Sequence, residues 1–233
     1  MIDKKWLTEK AVLYGVQMTP EKAAEIDRYC EAVAETNRSF NLTAITDPDG
    51  MQEKNALDCL TVLPFLPDSG SIADVGTGAG FPGAMIRIMR PDLKLTLIEA
   101  TDKKLQFVLK TLRSMGLDTE GVHLRGEDAG RGEYREQFDA VTARAVAPLP
   151  SLMEYTLPLV KIGGKLIAMK GADGKEELEE ARNAIKILGG SITGIHELDL
   201  PTAGKRVILE IRKEKACPMK YPRQSRLIRK NPL

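Results

Sequence analysis

The chain of 233 residues carries 34 basic and 33 acidic side chains, for a formal net charge of +1, and 42% of its residues are hydrophobic. These values are typical of one substantial globular domain with a small extension, and they exclude a disordered or fibrous protein. Three widely spaced cysteines without a CxxC pair, two histidines, and the lack of a long apolar run or signal-peptide core predict reduced thiols, no bound metal, no membrane contact and a cytoplasmic location.

Residues 1–66 are predicted to be a helical extension. Residues 3–14 indicate a short helix, and Thr19 followed by Pro20 is a typical helix start, with a capping hydroxyl before a proline in the first turn. This second helix is expected to end near residue 37. A turn-rich stretch then precedes a third helix, which we expect Asp49 to cap and which ends near residue 63.

A buried strand, a glycine turn and a helix are predicted from residue 71 onwards. The apolar run of the strand ends at Val75, and the alternate glycines that follow allow a ligand to approach the backbone without meeting a Cβ atom. An acidic residue followed by three spaced glycines is typical of the cofactor loop of S-adenosylmethionine (SAM) methyltransferases. The residues in this pattern are Asp74, Gly76, Gly78 and Gly80.

The same stretch also fits a second pattern, the dinucleotide fingerprint, through Gly78, Gly80 and Gly83. That interpretation needs its first glycine directly after the strand, so the strand would continue through Gly76 and Thr77. A glycine and a polar residue finish a buried strand poorly. SAM is therefore the favoured ligand.

Strands and helices alternate through the remainder of the core, which we delimit as residues 67–213. The remaining predicted strands are 93–99, 121–124, 138–142, 165–169, 191–200 and 206–212; the remaining predicted helices are 101–115, 152–160 and 176–188. The last two strands are joined too tightly for a crossover helix and predict an antiparallel hairpin. The predicted fold is thus α/β, a Rossmann-like class I SAM-dependent methyltransferase with a seven-stranded, mostly parallel sheet, a terminal hairpin and N-terminal helices.

Ligands of such sheets bind beyond the carboxyl ends of the strands. Glu99 ends the second strand about twenty residues after the glycines, where an acid accepts hydrogen bonds from ribose hydroxyls. The third strand leads into Gly126 and Glu127, whose backbone and carboxylate are candidates for the adenine edge. A plain polar turn is the alternative there.

Two cations follow the fourth and fifth strands, Arg144 and Lys170. The Asp or Asn with prolines that amino-group methyltransferases use is absent after the fourth strand, and no cysteine lies at a strand end to serve as a nucleophile. Guanine N7 has its own lone pair and needs no base, so we predict catalysis by positioning, with these two cations as catalytic residues. The structural alternative for Arg144 is an ion pair with Asp139 or Glu127.

The C-terminal tail, residues 214–233, is strongly basic, and eight of the residues from Arg212 onwards are basic against one acid. Such a tail with an interleaved tyrosine favours nucleic-acid binding, and we expect it to contribute little to cofactor affinity. The predicted RNA-binding residues are Lys205, Arg206, Arg223, Arg226, Arg229 and Lys230.

Nearly the whole chain resembles the RsmG methyltransferases, also called the glucose-inhibited division protein B family. The resemblance is carried by these motifs: Asn41-Leu42-Thr43, Leu57-Asp58, the run from Asp74 to Gly83, the pairs Arg144-Ala145, Lys170-Gly171 and Lys205-Arg206, and the closing Tyr221-Pro222-Arg223 and Lys230-Asn231-Pro232-Leu233. It implies SAM-dependent methylation of a guanine N7 in the decoding-site loop of 16S ribosomal RNA.

The resemblance also implies cofactor contacts at Gly76, Phe81, Gly126, Glu127 and Arg144. Asn55 departs from the family pattern, since many members have a histidine there, and the tail lacks the Gly-Thr-Pro expected after Arg223. The implied partner is 16S rRNA or the small ribosomal subunit, and the enzyme is expected to be a monomer. The alternative functions are an NAD(P)-binding oxidoreductase and an RNA-binding module with a vestigial SAM site.

Overall fold

The computed structural model describes all residues from Met1 to Leu233. Seven strands form one sheet in the order β3-β2-β1-β4-β5-β7-β6. The strands are β1 (Ser71–Val75), β2 (Lys94–Ile98), β3 (Glu120–Val122), β4 (Phe138–Arg144), β5 (Val160–Lys170), β6 (Gly190–Leu200) and β7 (Gly204–Lys213). The first five pair in parallel, and β7 is antiparallel to both β5 and β6. The predicted mostly parallel sheet with a terminal antiparallel hairpin is confirmed.

Ten α-helical segments surround this sheet. They are α1 (Lys4–Val12), α2 (Pro20–Asn37), α3 (Pro48–Gly50), α4 (Asp58–Leu60), α5 (Gly83–Met89), α6 (Asp102–Ser114), α7 (Gly126–Arg131), α8 (Leu149–Thr156), α9 (Gly174–Ile187) and α10 (Ser225–Lys230). A π-helical stretch, Met51–Leu57, joins α3 to α4. Short 3-10 turns occupy Leu63–Phe65 and Leu157–Leu159.

Each face of the sheet has its own apolar core. One core unites the N-terminal helices with α5 and α6, through buried residues such as Leu7, Ile26 and Met85. The other unites α8 and α9 with the C-terminal segment, through residues such as Leu152 and Tyr221. The carboxyl ends of the parallel strands lie between these two layers, where a ligand crevice is expected.

Several helix boundaries differ from the sequence prediction, two of them for a clear physical reason. The third helix begins at Pro48 because Asp47, and not Asp49, is its cap: the Asp47 carboxylate accepts the Gly50 N–H at 2.6 Å. Helix α8 begins at Leu149, earlier than expected, and ends at Thr156 before a 3-10 turn that contains Pro158. A proline there cannot donate a helical hydrogen bond.

Two short helices, α7 and α10, were not expected from the sequence, and the C-terminal segment is packed against the core. Its Tyr221 and Ile228 side chains are buried. Arg135 donates to the carbonyl oxygens of Tyr221 and Cys217 at 2.8 and 2.6 Å. Residues 214–233 are therefore an ordered layer on the sheet.

Candidate functional site

The glycine turn after β1 is held in shape from outside the sheet. Gly78 has a φ of +57°, and a Cβ atom built there meets only open space beyond the Gly76 carbonyl at 3.8 Å. Gly80 is different: a Cβ atom there would lie 2.0 Å from the Tyr29 hydroxyl, which donates to the Ala79 carbonyl at 2.8 Å. Gly78 therefore leaves open space beside the turn, whereas Gly80 leaves room for the Tyr29 side chain of α2, which supports the turn.

Asp74 at the end of β1 is fully buried behind this turn. Its carboxylate accepts the Gly83 N–H at 3.0 Å and the Thr142 hydroxyl at 2.9 Å, which ties β1 to the start of α5 and to β4. Burial disfavours the ionised form and raises the pKa of Asp74 to about 6, although these hydrogen bonds oppose the rise. Asp74 thus shapes the turn from within the protein.

Glu99 supports the turn from the neighbouring strand. One carboxylate oxygen accepts the Gly78 N–H at 2.9 Å, and the other accepts the Thr101 N–H at 2.8 Å. The residue is only 7% exposed, and it lines the space at the strand ends. That space is the position in which a ribose hydroxyl would meet it.

A cleft of about 610 Å³ opens at the carboxyl ends of β1, β2 and β3, and we call it the main cleft. Four predicted cofactor residues line it: Gly76, Glu99, Gly126 and Glu127. The exposed apolar side chains of Leu124 and Val146 also line it and offer walls for a flat ring. Its size is that of an ordinary cofactor site.

The main cleft fits an adenosine-containing cofactor on a specific observation. Oε1 of Glu127 is buried and has no hydrogen-bond partner within the protein, although the residue lines the cleft. A buried carboxylate oxygen without a donor is costly, and the amino group of an adenine would supply one. The other five predicted cofactor residues, Asp74, Gly78, Gly80, Phe81 and Arg144, are not among those that line the cleft.

Phe81 packs behind the glycine turn. Its ring meets that of Tyr29 edge to face, with centroids 5.9 Å apart, and the Arg144 guanidinium lies 5.9 Å from its centroid. Phe81 therefore links the turn to the end of β4. In this structure it supports the cleft from the core.

Arg144 lies at the end of β4 and is engaged by the N-terminal helices. It donates to the Asp58 carboxylate at 3.1 Å, to the Asn55 side-chain oxygen at 2.9 Å and to the Lys54 carbonyl at 2.6 Å. The alternative ion pair expected from the sequence, with Asp139 or Glu127, is wrong. Asp139 pairs with Lys161 instead, at 3.0 Å.

Lys170 at the end of β5 is also paired. Its ammonium group lies 2.6 Å from the Glu177 carboxylate and donates to the Ala147 carbonyl at 3.1 Å. Glu177 in turn accepts the Leu149 N–H at 2.6 Å. Arg144 and Lys170, the two predicted catalytic cations, thus connect the elements that form the walls of the site and also contribute positive charge to it.

Arg144 and Lys170 line a second pocket of about 280 Å³, which we call the arginine pocket, together with Asp58, Glu177 and Arg206. Both of its carboxylates are engaged by cations. Asp58 meets Arg144 and also Arg206, whose Nε atom lies 3.4 Å from it. Burial raises the pKa of Asp58, and the two guanidinium groups oppose the rise.

The N-terminal helices and the β6–β7 hairpin are joined beside this pocket. Glu53, in the π-helical stretch, accepts the N–H groups of Thr202 and Ala203 at 2.6 and 2.9 Å and also the Thr202 hydroxyl. Tyr14 donates to the Asp199 carbonyl at 2.7 Å. The helical extension is therefore a wall of the site, and π-helical turns are common at such places.

Sequence reasoning missed the partners of Arg144. Asp58 and Asn55 lie on successive turns around the π-helical stretch and are both buried. The sequence offers only a weak signal, because half of residues 51–60 are polar and their order does not show which of them are buried. Asn55, which departs from the family histidine, holds Arg144 and donates to the Met51 sulfur at 3.5 Å.

The predicted RNA-binding residues divide into two sets. Arg206 and Arg223 form ion pairs with carboxylates. Arg206 pairs with Asp58, and Arg223 lies 2.8 Å from the fully buried carboxylate of Glu154. The side chains of the other four are exposed on the surface; they are Lys205, Arg226, Arg229 and Lys230.

The C-terminal segment reaches the main cleft, because Ser225, Arg229 and Pro232 are among the residues that line it. The expectation that this segment contributes little to cofactor affinity stays a prediction, although three of its residues line the cleft. It was based on composition, which shows charge and not packing.

Comparisons with known proteins identify the family. The sequence pattern of the GidB family, rRNA small subunit methyltransferase G, matches residues 22–205, which is most of the chain. The chain belongs to this family. Membership confirms the resemblance found in the sequence, and with it the predicted enzyme class, a methyltransferase that uses SAM.

Similar relatives extend the match to nearly the full length. A ribosomal RNA small subunit methyltransferase G from Leuconostoc citreum is 41% identical over 225 residues, covering 94% of this chain and 94% of that protein. One from Staphylococcus aureus is 40% identical over 233 residues and covers 98% of each.

Solved structures share the fold at low identity. A putative methyltransferase from Bacillus halodurans aligns with a TM-score of 0.51 at 16% identity, over 68% of this chain and 99% of that one. P. horikoshii TYW2, in complex with MeSAdo, aligns with a TM-score of 0.55 at 13% identity, over 69% of this chain and 63% of that one. These likenesses show the fold alone.

Two further observations concern ligands of other kinds. No group of three or more histidine, cysteine, aspartate or glutamate side chains is arranged to hold a metal ion. None of the helices has both the length and the apolar character that a membrane crossing requires.

Proposed function

We propose that this enzyme transfers the methyl group of SAM to N7 of a guanine in the decoding-site loop of 16S ribosomal RNA. The observation that carries the proposal is the position of the arginine pocket. It lies at the ends of β4 and β5, beside a main cleft at the ends of β1 to β3, and its carboxylates are both paired with cations. The names of the family and of its relatives support ribosomal RNA as the substrate.

In the proposed complex the main cleft holds the cofactor. Glu127 would accept from the adenine amino group, Leu124 and Val146 would cover the ring, and Glu99 would accept from the ribose. The bound cofactor supplies a methyl group on a positively charged sulfur. Gly78 leaves the backbone open to the remainder of the cofactor, and Asp74 fixes the turn that presents it.

The protein's own task is to bind and orient the guanine. Guanine N7 has a free lone pair at neutral pH, so a general base is not needed. Transfer moves positive charge onto the base, and a cation close to N7 would oppose it. We assign Arg144 and Lys170 to the O6 edge or a nearby phosphate, because arginine commonly recognises guanine and phosphate.

A nucleophilic cysteine is not required, and the three thiols are unsuited to that role. Cys30, Cys59 and Cys217 are all buried. Burial raises the pKa of Cys30 to about 12, which leaves the thiol protonated. The chemical step therefore depends on geometry.

The proposal includes three organisational statements. The helical extension of residues 1–66 bounds the substrate pocket, residues 67–213 hold the cofactor, and residues 214–233 contribute to RNA binding. We propose that the enzyme acts as a monomer, since both pockets are formed within one chain. The substrate RNA, free or in the small subunit, is cytoplasmic, and so is the proposed location of the enzyme.

Methylation with labelled SAM tests the function. The purified protein is incubated with small ribosomal subunits and, separately, with naked 16S rRNA, and the digested nucleosides are identified by mass spectrometry. We expect 7-methylguanosine within a fragment that contains the decoding site. Label on a different base atom, or on ribosomal protein only, would overturn the proposal.

A further inference from the structure

A cleft of about 530 Å³ adjoins the main cleft, and its lining is almost entirely cationic; we call it the basic cleft. It is lined by Arg125, Ser225, Arg226, Arg229 and Lys230. None of the four cations has a carboxylate within 4.0 Å, and no apolar side chain contributes to the lining.

These cations come together from two elements. Arg125 immediately precedes α7, and the other three lie on α10 at positions 226, 229 and 230, which share one face of a helix. Like charges at this spacing repel each other, so the arrangement is destabilised by itself. An anion in the basic cleft would reverse that effect.

The basic cleft is held in place by a buried ion pair. Arg223 donates to Glu154 through its backbone N–H at 2.6 Å and through Nε and Nη2 at 2.9 and 2.8 Å. Arg131 on α7 donates to the Arg223 carbonyl at 2.9 Å. The cations are therefore fixed against α7 and α8 and are not carried on a free tail.

The basic cleft and the main cleft share a wall. Arg125, Ser225 and Arg229 line both of them. The hydroxyl oxygen of Ser225 is buried without a hydrogen-bond partner, so it is free to bond to a ligand oxygen. Ser225 and Arg229 of α10 thus line both the main cleft and the basic cleft.

We propose that the basic cleft binds a backbone phosphate of the substrate RNA next to the bound cofactor. A cationic lining without apolar or aromatic walls recognises mainly charge, which suits a phosphodiester better than a nucleoside. The inference rests on the proposed function and deepens it, because it gives the C-terminal segment a defined phosphate contact.

The test compares two variants with the same loss of charge. Arg226→Ala combined with Lys230→Ala removes two cations that line the basic cleft but not the main cleft. Lys215→Ala combined with Lys220→Ala removes two exposed cations of the same segment outside it. Binding of a decoding-site RNA hairpin is measured by fluorescence anisotropy from 50 to 200 mM salt, about the range over which phosphate contacts are lost.

We expect the first variant to lower the slope of log affinity against log salt by about 0.7–0.9, as for one lost phosphate contact, and the control to change it much less. Calorimetric titration with S-adenosylhomocysteine should give the same affinity for all three proteins. An equal slope in both variants would overturn the proposal.

Two other outcomes separate the possible failures. If wild-type protein does not bind S-adenosylhomocysteine, the proposed function fails, whatever the RNA results. If inorganic pyrophosphate binds wild type but not the first variant, while RNA affinity is equal in both, the cleft serves a free phosphate and the RNA assignment is overturned.

Discussion

Arg144 and Asp58, 86 residues apart in the sequence, meet at 3.1 Å between the end of β4 and the N-terminal helices. Arg206 from β7 approaches the second oxygen of the same carboxylate at 3.4 Å. Three separate parts of the chain therefore converge on one buried carboxylate. The shape of the arginine pocket depends on it.

Replacing Asp58 by alanine should lower the free energy of unfolding by about 3 kcal/mol or more, because it leaves buried guanidinium groups without their counter-charge. Urea denaturation measures the change. Asp118→Ala is a matched control: Asp118 pairs with Arg113 at 2.9 Å, but both side chains are about three-quarters exposed. We expect that control to stay within about 1 kcal/mol of wild type. Equal losses would show that burial of the Asp58 pair is unimportant.

Arg144→Ala should reduce kcat/KM by about 10²-fold, because its fork fixes the pocket in which the guanine is placed. Single-turnover methylation of rRNA measures the effect. Affinity for S-adenosylhomocysteine should change little, since Arg144 lines the arginine pocket and is not among the residues of the main cleft. A loss of cofactor affinity with an unchanged chemical step would instead support the cofactor contact that the family resemblance implies.

The single-turnover rate with saturating SAM and RNA should be flat between pH 6.5 and 8, since N7 needs no base. Asp74 and Asp58 are the carboxyls whose pKa burial raises. The pH dependence of the rate is therefore also measured for the variants Asp74→Asn and Asp58→Asn. A pH-dependent limb of the rate profile that remains in Asp74→Asn but is absent from Asp58→Asn would identify Asp58 as a base. That result would contradict the N7 mechanism.

Gly78→Ala should fold but bind S-adenosylhomocysteine at least tenfold more weakly, because the added methyl group would occupy open space that the proposed complex gives to the cofactor. The positive φ of +57° adds a strain of about 1 kcal/mol, which must be controlled. Gly116→Ala carries the same strain at φ +75° with nothing within 4 Å, and it lies after α6, away from the main cleft. Equal affinities in the two variants would mean that the turn does not contact the cofactor.

Wild type should lose stability relative to Asp74→Asn as the pH rises from 4 to 7. The pKa of Asp74 is about 6 in the folded protein against an ordinary 3.8, so the folded state holds the proton more tightly. That contribution is fully present below pH 4 and is lost as the pH rises through 6. The difference in unfolding free energy should fall by about 2 kcal/mol over this range. Parallel curves for the two proteins would show that this carboxyl is not perturbed.

The cofactor side of the site was largely predictable because its signals are local. The strand end at Val75, the glycine spacing and the acid at Glu99 lie within thirty residues, and parallel strands bring their carboxyl ends together. The sequence could not show which glycines face a ligand. Gly80 leaves room for the hydroxyl group of Tyr29, 51 residues earlier, and only the fold reveals that contact.

The substrate side was less predictable because its contacts are long-range. The Arg144–Asn55 bond spans 89 residues and the Arg223–Glu154 bond spans 69. Composition marked residues 214–233 as basic, but it could not separate Arg223, which holds the segment to the core, from Arg226, which faces outwards. Charge alone does not distinguish a structural ion pair from a ligand contact.

The hydrogen bonds that Glu53 accepts from Thr202 and Ala203 also determine how early in its synthesis the chain can form the arginine pocket. The two ends of that contact are separated by 149 residues. At translation rates of about 5–20 residues per second, Glu53 leaves the peptide channel about 7–30 s before Thr202 does. For most of translation the arginine pocket therefore lacks one of its walls. The pocket closes only when the β6–β7 hairpin forms.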